Sequence, residues 1–166
     1  MSKGCPLLIF LVTNLLLSTT EGNQLSCDNG WEDGHSVQLG CLKIQKTTTK
    51  LTFSQSKHEC AKNNSQLVEI LTEDQMKFIV KKMENKCGSE VCEWWGGANK
   101  KSGGTWIWEE SGNLVASFIW ENGTEPTVTD TSVQYSSCFK SILDYQGSAC
   151  RGFNTLLPIC QRKYVC

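Results

Sequence analysis

Cysteine constrains this chain more than any other residue type. Ten cysteines stand in 166 residues, and what they can do depends on the compartment they meet. The N-terminus sets that expectation. Lys3 is followed by the apolar run PLLIFLVTNLLL from Pro6 to Leu17, then by the small residues Ser18, Thr19 and Thr20. Such a run has the length of a signal-peptide apolar segment and falls short of the ~20 residues a membrane span needs. Residues 1–20 therefore read as an export signal, with cleavage after Thr20 or after Gly22. No second apolar run follows, so the expectation is a secreted, extracellular protein with no membrane span. Cys5 leaves with the signal. Cys27, Cys41, Cys60, Cys87, Cys92, Cys138, Cys150, Cys160 and Cys166 then meet an oxidising compartment, where they read as disulfides rather than zinc ligands. No C-x-x-C or H-x-x-x-H spacing argues for zinc. Nine is odd, so at least one thiol is free or paired outside the chain. Two N-glycosylation sequons, Asn63-Asn64-Ser65 and Asn122-Gly123-Thr124, agree with export.

The length suits one domain with a real core. A net charge of −1 offers no basic excess to neutralise phosphates, so a nucleic-acid partner is not expected. Along the chain, Leu39 to Ile44 reads as a short strand. Thr52 and Gln55 form a capping box ahead of a helix from about Phe53 to Lys62, with Phe53, Ser56 and Cys60 on one face. QLVEI follows as a strand. Thr72 and Gln75 repeat the capping signal, and Met76, Ile79, Val80 and Met83 make an apolar stripe at helical spacing. From Cys92 onward short β-type runs alternate with glycine turns: EWWGGA, GTWIWEE, NLVASFIW, SSCFKSIL and LLPICQRK. Two helices followed by a β-rich half make an α+β domain.

These segments, in this order, resemble the C-type lectin-like domain over residues 27–163. TFSQSKHEC resembles the family's first helix with its cysteine. WWGG, Trp94 to Gly97, stands for the Trp-Ile-Gly-Leu signature, with Gly97 departing from leucine. GTWIWEESG is similar to the Gly-x-Trp-x-Trp-x-x-Gly stretch, and FIWENGTEP to the tryptophan and Glu-Pro of the binding loop; Cys138, Cys150 and LPICQRK complete the set. The resemblance implies a C-type lectin-like α+β fold: two helices with small antiparallel sheets and a long loop region, stabilised by disulfides. It implies the bridges Cys27–Cys41, Cys60–Cys160 and Cys138–Cys150. Cys87 and Cys92 are not family positions and are expected to pair locally. The tryptophan cluster reads as core. Trp94, Trp106 and Trp120 fall at family core positions, while Trp95 stands where members often have an aliphatic residue. Cys166 is left over in the tail 164–166, where it joins a homodimer through a disulfide, is capped by a small thiol, or folds back and leaves a different cysteine odd.

Sugar-binding members of that family hold one calcium ion on a Glu-Pro-Asn motif, a further acid near the next cysteine and a Trp-Asn-Asp motif. Calcium takes six to eight oxygens, several of them carboxylate. This chain keeps Glu125 and Pro126 but has Thr127 in place of asparagine. Tyr145, Gln146 and Gly147 occupy the Trp-Asn-Asp place, and Ser136 stands where the acid belongs. Only Glu125 remains as a charged ligand, with Asp130 and Asp144 available if the loops shift. The Glu125–Pro126 bond reads as a turn, with a cis form open to it as in relatives. The expectation is carbohydrate recognition with weak or absent calcium dependence, through Glu125, Thr127, Tyr145 and Gln146, and no cofactor. A protein-binding module on the same fold is the alternative. His35 and His58 are the chain's histidines and neither lies in a nucleophile motif, so no enzyme is expected.

Overall fold

The computed structural model describes residues 26–44, 49–100, 104–130, 132–141 and 146–163. The expected export signal and Cys166 lie outside these residues. Helix α1 spans Phe53–Ala61 and α2 spans Glu73–Cys87. The first capping box is complete: the Thr52 hydroxyl accepts from the Gln55 amide, and the Gln55 side chain accepts from the Thr52 amide. Phe53, Ser56 and Cys60 are the residues α1 buries. At α2 the box is half made. The Thr72 hydroxyl accepts from the Gln75 amide, but Gln75 turns elsewhere. Its Oε1 accepts from the Leu71 amide at 2.7 Å and its Nε2 donates to the Val37 carbonyl at 3.0 Å. A buried amide does more by pinning a distant segment than by closing its own turn. Met76, Ile79 and Met83 are buried on α2, and Val80 is half-buried.

The strands are β1 (Glu32–Asp33), β2 (Cys41–Ile44), β3 (Gln66–Leu67), β4 (Glu93–Lys100), β5 (Trp106–Trp108), β6 (Tyr135–Lys140), β7 (Gly147–Arg151) and β8 (Leu157–Arg162). Their order is β1-β2-β8-β4-β6-β7, with β3 also on β8 and β5 also on β4. Pairing is antiparallel except between β4 and β8, which run parallel at Trp94–Leu157 and Trp95–Pro158. That parallel pair joins the small antiparallel sheets into one. NLVASFIW, read as a strand, is not one. It contains a 3-10 turn at Ser117–Ile119, and its ladder contacts are two isolated bridges, Leu114 to Ile107 and Trp120 to Gly147. Ile119 and Trp120 are buried while Leu114 is 71% exposed, so the apolar residues anchor a loop instead of alternating along a sheet.

Strand β4 lies between two apolar clusters. Trp94 belongs to the larger one with Ile79, Met83, Trp106, Trp108 and Trp120. Trp95 belongs to the other, with Phe53, Leu67, Cys60 and Cys160. The Trp95 indole donates to the Leu51 carbonyl at 2.8 Å and meets the Phe53 ring edge-on at 5.6 Å. Both neighbours are therefore core, each on its own face, and Trp106, Trp108 and Trp120 are core too. Disulfides join Cys27 to Cys41, Cys60 to Cys160, Cys87 to Cys92 and Cys138 to Cys150.

Candidate functional site in the loop between β5 and β6

The loop after β5 is anchored by the tryptophans beneath it. Trp106 packs against Trp120 with ring centroids 4.7 Å apart, and its indole N–H faces the Pro126 carbonyl at 3.5 Å. A second 3-10 turn, Glu121–Gly123, follows Trp120 and leads the chain into solvent. Asn122 sits there in the left-handed region, φ 55° and ψ 24°. Its backbone N–H donates to Gln146 Oε1 at 3.3 Å, and Trp120 bridges to Gly147. The loop is thus fastened to the start of β7.

Each expected ligand position can be followed. Glu125 is exposed, and its Oε1 lies 2.9 Å from Lys100 Nζ. The Lys100 side chain is only 16% exposed, so the ammonium approaches the carboxylate from the strand beneath. The Glu125–Pro126 peptide is trans. Thr127 is exposed, as is Gln146, whose Oε1 is already taken by the Asn122 amide. Gly147 is buried, and a Cβ there would lie 2.7 Å from the Ile119 carbonyl oxygen and 2.9 Å from Ile119 Cγ2. No side chain fits at this position, least of all a carboxylate. Ser136 is fully buried between Asn99 of β4 and Cys150 of β7. Asp130 is turned back on its own segment, accepting from the Ser132 amide at 3.0 Å and from its hydroxyl. Those bonds hold its carboxyl below the usual aspartate range. Tyr145 and Asp144 lie outside the described residues.

The register also separates the two ends of the expected site. Lys100 pairs with Tyr135, whereas Gly147 pairs with Phe139. Those positions are four residues apart on β6, roughly 13 Å at the rise of a β-strand. Lys100 and Gly147 thus stand at different levels of this strand, and Glu125 meets the first through the lysine side chain. Among the described residues the donor set does not fit calcium: the motif offers one carboxylate, Glu125, and that carboxylate is paired with a lysine. Among the described residues Cys27, Asp33 and His35 come together as possible metal ligands, but the Cys27 sulfur is in a disulfide. The buried carboxylate of Glu69 is held by Lys163 and the Ser111 hydroxyl, and His58 is exposed on α1. Lys100 is the residue at this site that the motifs miss. It lies outside every signature, and its contact is with a residue 25 positions away.

The family model described as Lectin C-type domain matches residues 49–157. The chain is similar to the secretory phospholipase A2 receptor of Oryctolagus cuniculus, 29% identical over 104 residues, which is 63% of this chain and 6% of that protein. It is similar to layilin of Homo sapiens, 28% identical over 136 residues, 76% of this chain and 32% of layilin. The chain thus spans a minor part of the length of these curated relatives. Among solved structures it superposes on human lithostathine with TM-score 0.68 and 18% identity, covering 92% of this chain and 99% of that one. The C-type lectin CEL-I from Cucumaria echinata gives TM-score 0.66 and 18% identity, over 81% and 96% of the two chains. A calcium-independent type II antifreeze protein gives 0.63 and 17%, over 84% and 96%.

Proposed function

Because the chain belongs to the Lectin C-type domain family, we propose that it is an exported, non-enzymatic binding domain that recognises a glycan without calcium. The observation that carries this reading is the ion pair between Lys100 and Glu125. The lysine supplies the positive charge that a cation would otherwise bring to the one carboxylate of the motif. The closed space at Gly147 supports the same reading, because the second carboxylate has nowhere to stand. Without an ion, sugar hydroxyls are held by hydrogen bonds alone. Thr127, the amide N–H₂ of Gln146 and the second oxygen of Glu125 offer both donors and acceptors for that purpose, and Tyr145 is expected to add a ring. The buried tryptophans take no part in stacking. The solved neighbours span a C-type lectin and a calcium-independent protein, so the fold itself accommodates either mode.

A second reading, a calcium-independent protein-binding module, is favoured by Leu114, which stands 71% exposed on the same loop. A glycan array probed with secreted protein in calcium and in chelator separates the readings. The proposal expects the same glycans bound at similar strength in both buffers. Signal that vanishes in chelator contradicts it, and an array without signal in either buffer transfers the case to a protein ligand.

A further inference from the structure

We infer that Asn122 carries an N-linked glycan, and that this glycan keeps broad protein surfaces off the loop and leaves it to small ligands. The inference rests on the export reading above, since the oligosaccharide is added along that route. Asn122-Gly123-Thr124 is an acceptor sequon. Asn122 is exposed in a left-handed turn, with its backbone rather than its side-chain amide engaged by Gln146. Asn63 differs. It is half-buried, its Nδ2 donates to the Glu59 carbonyl at 3.1 Å, and its own carbonyl accepts from Arg162 at 3.1 Å. The Ser65 hydroxyl of that sequon donates to the Cys60 carbonyl at 2.6 Å. The Asn63 side-chain amide is used to close the end of α1, whereas at Asn122 the bonds fall on the backbone, its N–H donating to Gln146 and its carbonyl accepting from the Thr124 hydroxyl at 3.4 Å, and the residue is exposed.

The transfer needs a lipid-linked oligosaccharide diphosphate as donor. Asn122 Nδ2 forms a bond to the anomeric carbon and gives up one amide proton. The anomeric C–O bond breaks, and the lipid diphosphate leaves with the electron pair.

The position decides the consequence. Glu125 lies three positions after Asn122, so their Cα atoms lie within about 11 Å even if the chain is fully extended. Asn122 is also hydrogen-bonded to Gln146. A stable protein interface takes about 800 Å² from each partner, a disc of about 16 Å radius. No such disc centred between Glu125 and Gln146 avoids Asn122. A mono- or disaccharide touching Thr127 and Glu125 needs far less area and is not displaced.

The test uses the full chain exported from a eukaryotic host, with the variants Asn122→Gln, Thr124→Ala and Asn63→Gln. Thr124→Ala keeps Asn122 itself and its bond to Gln146, losing only the 3.4 Å bond from the Thr124 hydroxyl to the Asn122 carbonyl, in case Asn122→Gln folds poorly. Peptide N-glycosidase should lower the mass of wild type and convert Asn122 to aspartate in the peptide map; the conversion should persist in Asn63→Gln and disappear in the other two. A glutamate-specific protease serves as the protein-sized probe. It should cut after Glu121 at least tenfold more slowly in glycosylated wild type than in Thr124→Ala, with cutting after Glu110 unchanged. Exported protein with unmodified Asn122 overturns this inference and leaves the export reading intact. Equal cutting rates on glycosylated and bare protein overturn the shielding. Chain retained inside the cell overturns the export reading, and the inference with it.

Discussion

Gly97 departs from the leucine of the family signature because of what lies against it. A Cβ there would come within 2.9 Å of the carbonyl oxygens of both Leu67 and Val68. The Gly97 amide donates to the Val68 carbonyl at 2.8 Å, and its carbonyl accepts from the Glu109 amide at 3.0 Å. Backbone packs directly on backbone. Gly97→Ala is therefore expected to lower unfolding free energy by about 1–3 kcal/mol, the cost of overpacking a site that cannot give. Urea unfolding of the two proteins measures it, and an unchanged midpoint would mean that the Leu67–Val68 segment moves aside easily. Lys100 obeys a similar logic with charge: a side chain rising from β4 pairs with the Glu125 carboxylate.

Elements were legible in the sequence where local signals decide them. Both helices follow from a threonine cap, the second also from an apolar stripe; the structure ends α1 within a residue of the expected Lys62 and carries α2 through the stripe from Met76 to Met83. Trp95 was less legible, since alternation assigns one face of a strand to the core and β4 is covered on both. NLVASFIW misleads for the opposite reason: its apolar residues serve an anchored loop, and no local spacing encodes that. The binding loop was readable only as a set of missing ligands; the Lys100 contact and the blocked space at Gly147 depend on tertiary approach. Strand β1 and α2 are tied by another such contact. Glu32 meets Lys82 at 2.8 Å and Lys86 at 2.9 Å, and these bonds hold its carboxyl below the usual glutamate value of 4.5. A carboxyl lowered in the folded state adds stability above its unfolded value and loses it as pH falls through the folded one. Glu32→Gln should thus be the less stable protein at pH 7, by at most about 1 kcal/mol for a pair this exposed. The gap should close as pH drops below 4.5. Urea midpoints taken from pH 7 to pH 3 check this; a gap that stays constant across the range contradicts it.

At the scale of the molecule, covalent closure and the loop carry separate parts of the account. Cys60–Cys160 spans 100 residues and links α1 to β8, whereas Cys87–Cys92 spans 5. Chain-entropy reasoning assigns about 5 kcal/mol to the longer closure and about 2 kcal/mol to the shorter. Replacing both Cys60 and Cys160 by alanine should reduce the yield of exported protein far more than replacing Cys87 and Cys92, as read by immunoblot of the medium; equal yields would contradict that ranking. The frame so closed is shared with structures below 20% identity, so the likeness shows the fold alone. The central claim is that this loop works without calcium. Its most direct test is the melting temperature of the folded protein in excess calcium and in chelator. A ligand at a hundredfold its dissociation constant stabilises by about 2.7 kcal/mol, which raises the melting temperature of a chain this size by roughly 5–10 °C. The account predicts melting temperatures that coincide in the two buffers. A calcium-dependent rise of that size, abolished by Glu125→Ala, would contradict it.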